Sequence, residues 1–135
     1  MADATPGARA RPLSPHAQIW RWHVTMAASI LTRATGAALY GGALLLMGWA
    51  VALASGPVVY DGYVDLLGSI PGKIVLFGLT LSAFYHLFAG LRHLAWDSGA
   101  GFTPAVASRS AWAAILCAAV ATVTVWVAAG LMGKL

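Results

Sequence analysis

Glutamate is missing from this chain of 135 residues, aspartate occurs only four times and cysteine once. Charged residues of either sign make up 9% of it, against roughly 25% in a soluble domain. With 60% hydrophobic residues and a mean hydropathy of +0.78, that little charge cannot cover a water-facing surface. A water-soluble enzyme is excluded, and the length leaves room for one domain. The lone Cys117 lies in an apolar run and reads as a buried small hydrophobe. It rules out a disulfide framework and any thiolate-ligated cluster held by this chain alone. Eight Lys or Arg residues give a formal charge of +4, but they are scattered near segment ends and form no basic stripe, so no nucleic acid partner is expected.

Charge is also absent in blocks. Residues 34–60, 74–91 and 110–133 carry none, giving runs of 27, 18 and 24 residues. About 20 apolar residues at 1.5 Å rise cross a hydrocarbon core of ~30 Å, where every backbone group must be bonded internally. The expected fold is therefore an all-α integral membrane protein with three transmembrane helices near residues 27–54, 70–95 and 110–132. Residues 1–26 form an N-terminal cytoplasmic or interfacial segment and 27–135 the membrane domain. Ala52-Leu53-Ala54 looks like a peptidase site, but the stretch before it is too long for a signal peptide, so no cleavage is expected. Residues 1–10 read as a disordered tail, too short and too poor in Arg and Ser for a transit peptide.

Arg9, Arg11 and Arg21 precede the first span, and Arg92 and Arg109 flank the second loop, while the first loop carries Asp61, Asp65 and Lys73. The N-terminus and second loop are expected on the cytoplasmic side. Gly56-Pro57 and Pro71-Gly72 bracket an external loop, and the turn-rich segment 97–104 ends the second span.

Polar residues within the spans are the informative ones, because hydrocarbon penalises them unless they have a partner or a cavity. Ser29, Arg33, Gly36 and Tyr40 lie on one helical stripe, within a sector of about 60°. Ser29 and Arg33 both donate to a carbonyl-type acceptor, with Met26 and Ile30 close by. That pattern suits a quinone headgroup or a lipid phosphate. The competing reading is that Arg33 snorkels to the interface and Ser29 bonds its own helix.

A second stripe holds Ser82, His86, Gly90 and His93. His86 is the one histidine deep in a span, and Gly90 removes the side chain that would block a flat ligand. Haem fits, with Arg92, His93 and Arg33 at a depth to hold propionates; a histidine hydrogen-bonded between helices fits too. His86 and His93 stand about 10.5 Å apart along the axis, too far to bind the two sides of one iron, whose axial nitrogens are roughly 4 Å apart. A six-coordinate haem needs a ligand from another chain. Quinone reduction also takes up protons, and the nearest carboxylate is Asp97, across a loop. Partner subunits follow on both counts. The third span reads as packing, with Ala113, Ala114 and Ala118 allowing close approach and Trp112 and Trp126 anchoring its ends at the interface.

Three segments in order, Arg11-Pro12-Leu13-Ser14-Pro15-His16 with Gln18-Ile19, Ser29-Ile30-Leu31-Thr32-Arg33-Ala34-Thr35-Gly36, and His86 through Gly90-Leu91-Arg92-His93-Leu94-Ala95-Trp96-Asp97, carry a family likeness. From residue 11 to about 132 the chain resembles the cytochrome b large membrane-anchor subunits of succinate dehydrogenase, respiratory complex II. The resemblance implies that His86 is an axial ligand of haem b, the second coming from a small anchor subunit. It implies that Ser29 and Arg33 line a ubiquinone site walled by Ile30, Met26 and Trp22, with a tyrosine and an aspartate from the small anchor. Arg92 and His93 would lie near the propionates, and residues 11–22 would dock on the iron-sulfur subunit. Succinate oxidation, in the tricarboxylic acid cycle and respiratory electron transport, would belong to the soluble subunits, which include a flavoprotein. The location implied is the bacterial inner membrane ahead of the mitochondrial one.

Two positions depart from the family pattern. Thr32 stands where histidine is usual, which puts a propionate contact in doubt, and Trp20 replaces a tyrosine. A structural anchor without haem is the alternative function. A transporter subunit is disfavoured, because one Arg and one His across three spans make a poor relay.

Overall fold

Four helices follow one another in the computed structural model, which describes residues 20–133: α1 (Val24–Ala54), α2 (Pro57–Gly68), α3 (Ile70–Asp97) and α4 (Pro104–Leu131). Helices α1, α3 and α4 are long and apolar enough to cross a membrane, as the three charge-free runs require. At 31, 28 and 28 residues they reach about 42–46 Å and overshoot the ~30 Å hydrocarbon core at their ends. The expected tail and most of the expected docking segment, residues 1–19, lie outside the described residues.

Two boundaries differ from expectation. Helix α4 begins at Pro104 rather than near residue 110, after an extended Thr103. Proline suits the first helical position, where its missing N–H has no intrahelical partner to lose and its φ is already set. Arg109 therefore sits inside α4. The segment expected as an external loop is itself a helix, α2, with Pro57 opening it after Gly56 at φ 103°, a left-handed turn that glycine adopts freely. Asp61 and Asp65 are exposed on α2. Tyr63 folds it back onto α1, donating to the Leu45 carbonyl at 2.7 Å. Gly48 makes room, since a Cβ there would stand 3.1 Å from the Tyr63 hydroxyl oxygen.

The core is made of small residues. Tyr85 and Ala89 of α3 pack on Ala114 and Ala118 of α4. Ala111, Ala114, Ala118 and Thr122 are buried at steps of three and four residues, one stripe along α4. Ala113 and Cys117 were expected to pack, but both are exposed. Each lies 100° from a member of the buried stripe. Trp112 is exposed, whereas Trp126 turns inward. Its indole N–H donates to Thr80 Oγ1 at 3.3 Å, and its ring meets Phe77 edge-on at 5.3 Å. Trp126 thus ties α4 to α3.

Enlarging this seam has a defined cost. Ala118→Leu should destabilise the fold by about 1–3 kcal/mol through overpacking, seen as a lower Tm of the detergent-solubilised protein. An unchanged Tm would show that this stripe does not set the α3–α4 distance.

Candidate functional site

The two polar stripes meet at one point. Gly36 of α1 faces the His86 ring of α3: a Cβ on Gly36 would lie 3.4 Å from His86 Cε1 and 3.9 Å from Nδ1. The glycine lets the imidazole lie against the α1 backbone. Beside it, Thr35 Oγ1 is 3.3 Å from His86 Nδ1. The threonine hydroxyl has one proton, and its shortest contact, 2.7 Å, is with the Leu31 carbonyl of its own helix. With that proton committed, Oγ1 is the acceptor and Nδ1–H the donor. His86 Nε2 is then the ring atom carrying the lone pair. It has no hydrogen-bond partner among the described residues, and it is not among the sealed, unsatisfied polar atoms, of which these residues have none.

One residue away, the buried Tyr85 hydroxyl donates to the Ala28 carbonyl at 2.9 Å. The same carbonyl accepts from Thr32 Oγ1 at 2.8 Å. Thr32, at the departure from the family pattern, thus spends its hydroxyl on its own helix. These bonds lock α1 to α3 between the level of Ser29 and that of His86.

Ser29, Ile30, Met26, Arg33 and Trp22 form an exposed face on the flank of α1, next to the side that meets α3. Trp22 is 65% exposed and packs edge-on against Trp20 at 5.1 Å between centroids. Seven other span hydroxyls, those of Thr32, Thr35, Thr80, Ser82, Ser110, Thr122 and Thr124, bond back to their own helix. The Ser29 hydroxyl makes no such bond among the described residues, so it is not spent in the way the competing reading required. Arg33 likewise has no hydrogen-bond or ion-pair partner among them.

Arg92 and His93 are neighbours in sequence but part ways in space. His93 shares the His86 side of α3, with Nδ1 2.7 Å from the Ala89 carbonyl and its ring edge-on to Trp96 at 5.2 Å. Arg92 points to α4, where Nε donates to Ser110 Oγ at 2.9 Å and Nη2 to the Ala107 carbonyl at 3.1 Å. Its guanidinium lies 3.9 Å from the Trp96 ring centroid, a cation–π contact. Trp96 stacks on Phe102 and donates to the Gly101 carbonyl at 3.3 Å. Arg92 thus builds the α3–α4 turn, and the structure gathers Ser29, Arg33, Gly36 and His86 without it.

The described carboxylates are Asp61 and Asp65 on α2 and Asp97 at the last turn of α3. Asp97 is eleven residues, or about 16 Å, along the helix from His86. No group of three metal-ligating side chains occurs among the described residues, so a metal here would rest on a histidine and on what another chain adds. A cavity of about 670 Å³ lies at the α2 end between Trp49, Lys73, Leu76 and Trp126 and contains neither stripe.

Residues 7–125, which include both stripes, match the family of succinate dehydrogenase/fumarate reductase transmembrane subunits. The chain belongs to that family. It is 41% identical over 115 residues to the succinate dehydrogenase cytochrome b556 subunit of Paracoccus denitrificans, covering 85% of this chain and 87% of that one. The corresponding subunit of Rickettsia prowazekii is 35% identical over 118 residues, 87% of this chain and 91% of that one. The mitochondrial cytochrome b560 subunit of Sus scrofa is 41% identical over 98 residues, 69% of this chain and 56% of that one. As a member of this family, the chain is a transmembrane component of complex II, and α1, α3 and α4 are its membrane spans.

Thr35 and Tyr85 are the site residues that periodicity missed. A stripe drawn through Ser29 leaves Thr35 about 120° to one side. Its adjacency to Gly36 was the available signal, and it acquires meaning only once α3 is placed opposite.

Proposed function

We propose that this chain binds haem b through His86, shared with a histidine of a small anchor subunit, and contributes Ser29 and Arg33 to a ubiquinone-reducing site of complex II. The observation that carries this reading is the placement of His86: its ring lies against Gly36 with Nδ1 beside Thr35 Oγ1, and Nε2 has no protein partner among the described residues. A neutral imidazole held by its second nitrogen is the form in which histidine ligates a metal. The Thr35 bond by itself also suits a histidine packed between helices; the cytochrome b names of the relatives weigh against a structural anchor without haem. Haem b, when bound, takes up and returns single electrons.

The chain's own residues have distinct roles. The Ser29 hydroxyl and the Arg33 guanidinium donate to a quinone carbonyl oxygen, and Met26, Ile30 and Trp22 supply apolar walls for the flat ring. Arg33 offers donors to haem propionates, and His93 lies near them on the His86 side of α3. Arg92, two of whose five N–H donors bind Ser110 and Ala107, adds positive charge at that depth while holding the turn. Protons for the quinone come from partner side chains, since α1 carries no carboxylate and Asp97 is the one described carboxylate at this end of the bundle.

Residues 1–26 form the segment that meets the soluble subunits, docking on the iron-sulfur protein, with the flavoprotein carrying out succinate oxidation. Residues 27–135 form the membrane domain. The N-terminus and the α3–α4 loop face the cytoplasm of a bacterial inner membrane, in keeping with Arg21, Arg33, Arg92 and Arg109 at that end of the bundle and with the bacterial relatives. A reduced-minus-oxidised difference spectrum of membranes co-expressing the chain with its partner subunits tests the reading. A b-type band that depends on this chain is expected, and its absence would leave the anchor without haem.

A further inference from the structure

We infer that Thr35 is the positioning residue of the haem site, fixing the His86 tautomer and tuning the iron's reduction potential. The inference rests on the reading of His86 as a haem ligand and gives Thr35 a role in it. Three observations carry it. Thr35 Oγ1 lies 3.3 Å from His86 Nδ1 and is the only side-chain partner that the ring has among the described residues. The threonine proton is held by the Leu31 carbonyl at 2.7 Å, so the oxygen can only accept from the imidazole. Gly36 lets the ring stand 3.4 Å from where a Cβ would be, which brings Nδ1 within reach of the neighbouring hydroxyl.

The consequence is electronic as well as geometric. An acceptor on Nδ1–H makes the imidazole a more basic ligand and fixes its orientation. A more basic ligand favours ferric over ferrous iron, so the threonine hydroxyl lowers the haem potential. Thr35→Val keeps the shape and the β-branch but removes the acceptor, whereas Thr35→Ser keeps the acceptor and removes the methyl group. The Val variant should raise the midpoint potential and bind haem about 10–100-fold more weakly, as loss of an outer-shell partner generally does. A tenfold change in the relative affinity for ferric and ferrous haem equals 59 mV for a one-electron couple.

The test is a potentiometric titration of the b-type band in membranes holding the whole complex, normalised to covalently or tightly bound flavin, for wild type, Thr35→Val, Thr35→Ser and His86→Ala. Support is a higher midpoint or reduced haem occupancy in Val, with Ser close to wild type. If Val and wild type coincide, or Ser shifts as far as Val, the hydroxyl has no such role. Should the Val variant fail to assemble, Thr35→Ala with Ser decides on the same criteria. His86→Ala separates the two proposals. A band that survives it overturns the ligand assignment and this inference together, while a band that disappears with Val unchanged overturns this one only.

Discussion

Replacing His86 with alanine abolishes the b-type band in membranes that still contain the assembled subunits. The expected effect is close to complete, because the substitution removes the ligand nitrogen at the depth where α3 meets Gly36, and His93 stands at a different depth. His93 lies two helical turns away, about 10.5 Å along the axis. The fold should survive. His86 is half-buried, the seam of Ala89, Ala114 and Ala118 lies elsewhere on α3, and Tyr85 still reaches Ala28. Immunodetection of the subunits in the same membranes distinguishes a lost haem from a lost complex. A band of normal size and position in the variant refutes the assignment.

Arg33→Leu gives the second large effect, in activity. Succinate-dependent quinone reduction should fall on the order of 10–100-fold, since a charge-assisted hydrogen bond is worth about 1.5–3 kcal/mol and each 1.4 kcal/mol is tenfold. Reduction of a water-soluble artificial acceptor by the soluble subunits should stay near wild type. Arg33→Lys keeps the charge but loses the planar fork, so it should fall between the two. Arg33 is exposed on α1 with no internal partner among the described residues, so little of the effect passes through stability. Equal loss in both assays points to failed assembly instead and would remove Arg33 from the quinone site.

The gaps between charged residues were enough to show three membrane spans, because hydrocarbon penalises any unpaired charge and forces the backbone into helices. Their ends were less legible. The start of α4 at Pro104 and the whole of α2 were hidden behind glycine, proline and aspartate, which read as loop although Pro57 and Pro104 each open a helix. Periodicity also sorted Ser29, Arg33 and Gly36 onto one face and His86 and His93 onto another, since side-chain direction follows from 100° per residue. It assigned Cys117 and Ala113 to the packed side of the third span, because an apolar helix in lipid has no hydrophobic side to reveal which way it faces.

The sequence by itself determined that this is a three-span membrane protein poor in acids, with one ligand-like histidine and one serine–arginine pair, and therefore dependent on partners for any second ligand or proton donor. Only the tertiary structure decided that the two stripes touch, at Gly36 and His86. It also showed that Thr35 is the partner of the imidazole, that Tyr85 pins α3 to Ala28, and that Arg92 turns away from His86 towards Ser110 and Trp96. The reason is physical. The rotation of each residue about its own helix is a local property, whereas the rotation and depth of one helix against the next are set by the packing of small residues such as Gly36, Ala89, Ala114 and Ala118, which come together only in the folded bundle.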